Sequence, residues 1–448
     1  MRGRVRAAGH NRSAASPSAQ PSPGERRSKS PESRTAGENT HVEVMSVMLL
    51  LSGIAALVGA LFNLRRSQRL ARALCTVEPH RTAAGADPPP VSILAPCRGV
   101  DDQFVAYARG LMAQQYSGYE VLFLVESTTD PAWHVLNRLL ADAPGAWASL
   151  IITGTAEGCS QKIHNLLVGL EHVAPETSIL AFVDSDVQVH PHWLEALVGP
   201  LNDATVGATS GYRWYVPRRG SVAGSLRSAW NAATLILMAH PRYGFAWGGS
   251  TATRREVFET LRIRDAWSRG LSDDLLLTHA VRGAGLKIPF VAACLVPTFE
   301  PCTCRQLLEW TNRQTCIARV HMPYSLGLAL LIHLVSITLG LLGVVALATE
   351  QWVTGGLLLS YWVITGLGSL AVCRGARQRL SAHGFTVAQH AWAQALWTPA
   401  VTLLALINIS VAFTTRTITW RGISYTMRSP QHVVVHTGPR VPVPPSQA

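Results

Sequence analysis

The sequence predicts an α/β domain built on a mainly parallel sheet and bracketed by membrane-spanning helices. Three observations carry this. Short apolar runs alternate with helix-patterned segments from residue 91 to about residue 212, the pattern of a sheet covered on both faces. Apolar runs of roughly 20 residues stand before and after that stretch, long enough to cross a hydrocarbon core of about 30 Å. Residues 179–186, ILAFVDSD, end a strand-like run in two carboxylates one residue apart. The alternation puts them at the carboxyl edge of the sheet, where open α/β folds bind ligands.

Composition supports the division. With 48% hydrophobic and only 15% charged residues, the chain is too apolar for an ordinary soluble enzyme and too polar for a bare bundle of membrane helices. The formal charge of +12, from 39 Lys and Arg against 27 Asp and Glu, raises nucleic acid as a partner. The arginines, however, flank apolar runs, and no basic patch is interleaved with stacking aromatics, so a membrane surface is expected and no nucleic acid. The eight cysteines include no CxxC pair. Cys302, Cys304 and Cys316 lack zinc-site spacing, which leaves reduced thiols facing a cytosol.

In chain order, residues 1–43 are rich in Arg, Ser, Pro, Gly and Ala and read as a disordered basic tail; Met45 or Met48 is an alternative first residue. Residues 44–64 form a transmembrane anchor rather than a cleaved signal, since the run is long and Arg65, Arg66, Arg69 and Arg72 follow it. That cluster places the next domain on the cytoplasmic side of a multi-pass protein. Residues 65–90 are a linker closed by Pro88–Pro90. The α/β domain spans residues 91–301, with strands at 91–97, 120–126, 149–153, 179–184 and 206–212 and helices at 104–115, 131–141, 163–173 and 192–201. Residues 302–322 form an interfacial segment. Residues 323–413 hold apolar runs at 326–347, 352–372 and 395–413, the last broken by Pro399 and read as re-entrant because arginines follow both it and the run before it. Residues 414–448 are a C-terminal tail.

The chemistry concentrates at Asp184 and Asp186. Hard cations such as Mg2+ or Mn2+ take carboxylate and phosphate oxygens, so a D-x-D at a strand end fits a metal and diphosphate clamp; the same residues also fit a turn that caps the next helix. Asp101 and Asp102 follow the first strand, where a carboxylate accepts hydrogen bonds from a uracil or ribose. Lys162 opens a helix, where a cation and backbone N–H groups meet a diphosphate. Asp273 and Asp274 open another, with Ser272 as its N-cap. There is no GxGxxG after the first strand, which leaves a dinucleotide site without support.

Taken together and in order, VSILAPCRGVDD, QKIHNLLVGLE, FVDSD, HPRYGFAWGGS and SDDLLLTHAVRGAG resemble the successive motifs of family 2-type membrane glycosyltransferases, in particular the ceramide glucosyltransferase branch. The resemblance covers residues 91–319, and the tail TWRGISY shares it. It implies a GT-A fold, a UDP-sugar donor and a single inverting displacement. Asp101 would contact the nucleotide, Asp184 and Asp186 the metal and diphosphate, and Asp274 would be the general base. His240 and Arg242 match a stretch near the acceptor, with His240 a further catalytic candidate or a packed histidine, and Gly249 and Ser250 match an acceptor loop. Gln306 and Trp310 match the family's Q-x-x-R-W, but Glu309 stands where its arginine belongs. Arg313, one turn on, or Arg305 would then supply positive charge to the donor. The expected reaction moves glucose from UDP-glucose to a lipid hydroxyl, ceramide first and a hopanoid or other polar lipid next. A non-catalytic nucleotide-sugar-binding membrane subunit is the alternative from another class. A channel is disfavoured because the apolar runs carry almost no ionisable residues.

Overall fold

A computed structural model describes residues 31–76, 88–143, 147–387 and 391–436. The chain divides into two units, Met1–Leu51 and Ser52–Ala448. The described part of the first is the start of a long helix, α1 (Pro31–Cys75); the rest of the expected basic tail lies outside the described residues. The remainder of α1 and every later element belong to the second unit.

The α/β part runs β1 (Val91–Cys97), α2 (Phe104–Met112), β2 (Tyr119–Val125), α3 (Pro131–Ala141), β3 (Ala148–Ile152), α4 (Gln161–Gly169), β4 (Ile179–Phe182), α5 (Trp193–Val198), β5 (Ala208–Tyr215), α6 (Val222–Met238), β6 (Thr251–Arg254), α7 (Arg255–Thr260), α8 (Ile263–Trp267), α9 (Asp273–Gly283) and β7 (Phe290–Thr298). The strands form a seven-stranded sheet in the order β3-β2-β1-β4-β6-β5-β7. Its pairings are parallel except those of β6, which runs against β4 and β5.

β1 and β4 are buried on both faces, and their side chains alternate between two cores. Ile93 and Ala95 of β1 join Ile179 and Ala181 of β4 on one face, while Leu94, Leu180 and Phe182 join the other. The β1–β4 register ends at Leu94 against Phe182. Val183 to Asp186 therefore leave the sheet beside the last residues of β1, at the carboxyl edge.

Several expected elements differ: α1 continues into the expected linker as far as Cys75, and α2 and α4 end at Met112 and Gly169, short of residues 115 and 173. β5 runs through Arg213 to Tyr215, held by its pairing with Leu295–Thr298 of β7. The helix expected at 192–201 stops at Val198 and passes into a 3₁₀ turn, Gly199–Asn202, because Pro200 offers no backbone donor to continue it.

The remainder is α10 (Cys304–His321), α11 (Pro323–Ala348), α12 (Trp352–Ala382), α13 (Ala391–Leu396), α14 (Thr398–Thr414) and a three-stranded antiparallel sheet, β8 (Thr417–Trp420), β9 (Ile423–Ser429) and β10 (His432–His436). Among the described residues, three helices are long and apolar enough to cross a membrane: Val47–Cys75, Pro323–Ala348 and Trp352–Ala382. Ile54, Val58 and Phe62 of α1 and Leu328, Leu331, Leu341 and Val344 of α11 are exposed, apolar surface of the kind that hydrocarbon covers.

The third apolar run is broken just before Pro399, with α13 ending at Leu396 and α14 beginning at Thr398. That proline sits in the first turn of α14, where its missing N–H costs nothing. At 17 residues α14 is shorter than the roughly 20 a full crossing needs. It packs along α10, with buried Asn408 donating to Thr311 Oγ1 at 2.9 Å and Asn312 Oδ1 at 2.7 Å.

The inner ends of the long helices belong to the sheet's core. Leu70 and Leu74 of α1 and Val372, Cys373, Ala376 and Leu380 of α12 pack in one cluster with β1 and β4. Buried Arg379 closes the end of α1, donating to Leu74 O at 2.7 Å, Ala73 O at 3.2 Å and Thr76 O, carbonyls that a helix C-terminus leaves without partners. Arg379→Ala is expected to destabilise the protein by about 1.5–3 kcal/mol, seen as a lower thermal midpoint in detergent. Arg379→Lys should recover only part of it, lacking the planar fork. A midpoint untouched by either change would show that α1 is held by packing alone.

Candidate active site

The site forms where β1, β4 and β5 end. Asp184 and Asp186 follow β4, and Arg213 of β5 reaches both: its Nη2 lies 2.9 Å from Asp184 Oδ2 and its Nη1 2.9 Å from Asp186 Oδ2. A charge inside a fully buried strand is tolerated only when paired, and Arg213 is further stacked over Trp247 with its guanidinium carbon 4.7 Å from the ring centroid. Burial opposes its charge, but Asp186, Tyr215 and Asp184 outweigh that and raise its pKa.

Lys162 stands in the first turn of α4, which Ser160 caps by accepting from Ile163 N. Its Nζ lies 2.8 Å from Asp184 Oδ1 and 3.0 Å from Asp273 Oδ2. Burial acts against this cation too, and Asp184 and Asp273 overcome it. Asp184 is held below the ordinary carboxylate range, since Lys162 and Arg213 outweigh its own burial. Burial pushes Asp273 up to about 7, with Asp274 and Asp184 adding to it and Lys162 pulling the other way.

Asp274 is held differently. Its Oδ1 accepts from Leu275 N at 2.8 Å and from the Ser272 hydroxyl, and its Oδ2 accepts from Gly248 N at 3.2 Å. Ser272 occupies the N-cap of α9 but makes no capping bond; its hydroxyl orients Asp274 instead. Gly248 crosses so near the Lys162–Asp273 pair that a Cβ there would overlap Asp273 Oδ2 and Lys162 Nζ.

These groups line a cavity of about 560 Å³. Its other walls are Trp230, Thr234 and Leu237 of α6, Gln306, Glu309, Trp310 and Arg313 of α10, Leu326, Ala329 and His333 of α11, Val401, Ala405 and Ile409 of α14, and Trp420 and Arg421 of the tail hairpin. Trp310 packs edge-on against Tyr215 and Trp230, with centroids 5.2 Å apart in each pair.

Of the residues singled out in the sequence, Lys162, Asp184, Asp186, Asp274, Gln306, Trp310 and Arg313 meet in this cavity. Others do not line it. Asp101 sits at the edge, its Oδ1 accepting from Gln103 N at 2.8 Å; burial raises its pKa, and Asp186 adds to that. His240 and Arg242 lie on the turn after α6, where His240 Nδ1 accepts from Arg242 N at 3.1 Å. Ser250 Oγ is buried and accepts from Trp193 Nε1 at 2.9 Å. Gly249 neighbours the Trp247 ring, where it has no room for a Cβ. Arg305 is turned outward, its side chain 87% exposed and 2.7 Å from Glu309.

Sequence reasoning missed Arg213, Trp247 and Arg421. The one available signal for Arg213 was a lone arginine inside the strand-like GYRWYV, a charge that must find a carboxylate if buried. Arg421 lies in TWRGISY, which shares the resemblance but carried no site role in the sequence.

A mainly parallel α/β sheet with carboxylates and cations at its carboxyl edge is the class of fold that handles nucleotide-linked substrates. The chain belongs to glycosyl transferase family 21, whose family model it matches over residues 47–433. It is a glycosyltransferase with an α/β glycosyltransferase fold. Ceramide glucosyltransferase 3 of Caenorhabditis elegans is 31% identical over 88 residues, 20% of this chain and 19% of that protein. Ceramide glucosyltransferase 1 of the same organism is 29% identical over 91 residues, 20% and 18% of the two chains. The matched segment thus spans about a fifth of these curated relatives. Among solved structures, the mannosyltransferase PcManGT from Pyrobaculum calidifontis in complex with GDP-Man and Mn2+ gives a TM-score of 0.44 at 18% identity, over 82% of this chain and 98% of that one. GalNAc-T7 with UDP, GalNAc and Mn2+ gives 0.37 at 14% identity, over 48% and 44%.

The tight passage of Gly248 over the charge network yields a test. Gly248→Ala should displace Lys162, Asp273 or the Asp274 contact and lower turnover by roughly 10-fold or more, as overpacking of a filled site costs about 1–3 kcal/mol. Full turnover in that variant would show that the network yields without functional loss.

Proposed function

We propose that the enzyme transfers glucose from UDP-glucose to the hydroxyl of a membrane lipid, ceramide in the first instance, inverting the anomeric centre in one displacement. The observation that carries this reading is the cavity itself. One continuous space is floored by Asp184, Asp186, Asp273 and Asp274 and walled by Leu326 and Ala329 of α11 and Val401, Ala405 and Ile409 of α14. A substrate that needs both surfaces has a polar reacting end and an apolar body. The relatives named ceramide glucosyltransferase support the same sugar and acceptor.

In this reading Asp274 is the general base. Asp273 is occupied by Lys162, whereas Asp274 is fixed by three donors and borders the cavity, placed to take the proton from an acceptor hydroxyl as it attacks. Asp101, Lys162 and Arg313 serve the donor, and Gln306 and Trp310 border the acceptor. His240 and Arg242 fit a role in receiving the lipid headgroup at the mouth better than one at the reacting atoms: Arg66, just past the anchor's apolar run, acts on His240, with Arg242 and Arg282. The basic cluster from Arg65 to Arg72 supports a cytoplasmic catalytic domain.

Asp184 and Asp186 carry the hard oxygen donors that Mg2+ or Mn2+ takes alongside a diphosphate. Among the described residues no group of three or more metal-ligating side chains gathers. The floor's carboxylates outnumber Lys162 and Arg213, so its net charge fits a divalent cation that shares the aspartates with Arg213. When bound, such an ion would offset charge on the departing UDP.

Glu309, paired with Arg305 where the family motif has an arginine, favours one second reading, a subunit that binds nucleotide-sugar without transfer. Purified enzyme with Mn2+, a panel of labelled UDP-sugars and a membrane lipid extract decides between them. A new glucolipid is expected, and its mass separates ceramide from a hopanoid or other lipid. UDP binding with no product from any lipid would favour the subunit. Asp274→Asn should leave UDP binding nearly intact while lowering turnover about 100-fold or more; unchanged turnover would remove Asp274 from its role. UDP affinity should rise with added Mn2+, and Asp186→Ala should abolish that rise; affinity indifferent to metal in the unmutated enzyme would contradict the clamp.

A further inference from the structure

The cavity holds more positive charge than its carboxylates employ. Lys162 and Arg213 are bound to the aspartates of the floor. Arg98 pairs with Glu126 at 2.8 Å and Arg227 with Glu300 at 2.7 Å. Two lining guanidiniums remain, Arg313 of α10 and Arg421 of the tail, and among the described residues neither forms an ion pair with a carboxylate.

They stand on one wall. Arg313 lies over the ring of Trp420, 6.0 Å from its centroid, and Arg421 is the next residue. Arg421 donates through Nη1 to the carbonyl of Arg98, just past β1, which brings its head to the carboxyl edge of the sheet. Burial brings Arg313 down to about 10, and Arg421 and Arg213 push it the same way while Tyr215 and Glu300 oppose them. Unpaired like charges packed together destabilise a protein unless an anion joins them.

The backbone adds an independent sign. Trp420 pairs with Ile423, so Arg421 and Gly422 form a two-residue hairpin turn, with φ of 46° and 78°. Such turns take Asn, Asp or Gly at the first position. An arginine held at left-handed φ, where a smaller residue would be more stable, marks a side chain kept for what its head does.

We propose that Arg421 and Arg313 form a two-guanidinium clamp for the diphosphate of the nucleotide donor, so that the C-terminal hairpin completes the active site and supplies the charge that Glu309 cannot. The planar fork of an arginine bonds phosphate oxygens two at a time, and two forks match the two phosphoryl groups of a nucleoside diphosphate. The clamp rests on the nucleotide-sugar donor reading above, and it assigns the leaving-group end of that site to residues outside the α/β domain.

The test uses the full-length enzyme in detergent with Mn2+, comparing UDP and uridine binding by calorimetry. Arg421→Asn puts the residue preferred by the turn at that position, so the thermal midpoint should hold or rise while UDP affinity falls about 10- to 100-fold and uridine affinity stays. Arg313→Gln should lower UDP affinity similarly, and Arg305→Ala should not. Unchanged UDP affinity in Arg421→Asn would overturn the clamp, as would an equal loss for UDP and uridine, which marks a general disturbance of the site. Absence of UDP binding by the unmutated enzyme would overturn the donor reading and the clamp with it, an outcome distinct from binding that survives the substitution.

Discussion

The structure of the site depends on one shared set of charges: Lys162 between Asp184 and Asp273, and Arg213 between Asp184 and Asp186. These residues come from the start of α4, the end of β4, the middle of β5 and the start of α9. Removing Lys162 would leave Asp273, and removing Arg213 would leave Asp186, without its cation, at a cost of about 3–5 kcal/mol. The network therefore fixes four elements relative to one another. It also accounts for local sequence choices that propensity does not: an arginine in a buried strand, a glycine at 248, and a serine at a helix start whose hydroxyl serves a neighbouring carboxylate. A set of charges held this firmly is already oriented before substrate arrives, the condition under which electrostatics contributes most to catalysis.

The membrane helices are joined to this site by packing rather than by a tether. The inner ends of α1 and α12 share the core that carries β1 and β4, and Arg379 bonds the last carbonyls of α1 from α12. α14 is tied to α10 through Asn408, and Arg319 of α10 returns to Ala412 O at 2.5 Å. The height of the cavity over the apolar helices is thus set by side-chain contacts. For a lipid acceptor that matters, because an alkyl body held among apolar helices leaves its hydroxyl little freedom to search for the base, and proximity of that kind accounts for much of an enzyme's rate.

The parts legible in the sequence were those whose signal is local. β1, β4 and the carboxylates that follow were visible because an apolar run ending abruptly in charge has few meanings in an alternating α/β pattern. Lys162 and Asp274 were visible as charges at helix starts. Arg213 was not, since a strand read by hydrophobicity ends where the charge begins, and its partners lie 29 and 27 residues away along the chain. Pro399 was legible as a break because proline disrupts helix interiors, and the helices do part just before it, at Trp397. The tail sheet escaped notice because its hairpin carries Arg-Gly in place of the Asn-Gly that announces such turns. Its stability comes from long-range burial: Tyr425, Met427 and Val433 pack with Leu271, Cys316 and Ala412, and Tyr425 accepts from Gln161 N at 3.3 Å.

The distribution of charge argues for an order of events. The cavity has an acidic floor and, opposite the end of β1, a wall bearing two guanidiniums; its third side is apolar. A cation-bound diphosphate is complementary to floor and wall together, cation against carboxylate and phosphate against arginine, whereas an uncharged lipid hydroxyl is complementary to neither. Before a donor is present, the wall repels itself and the floor carries net negative charge, so donor binding relieves unfavourable terms on both sides while acceptor binding relieves none. Under the donor and acceptor proposed above, binding of the nucleotide first, with the lipid entering along the apolar side toward Asp274, follows from that asymmetry. Glu309 leaves it intact because it is engaged by Arg305, and the two guanidiniums of the wall come from α10 and from the hairpin that follows α14.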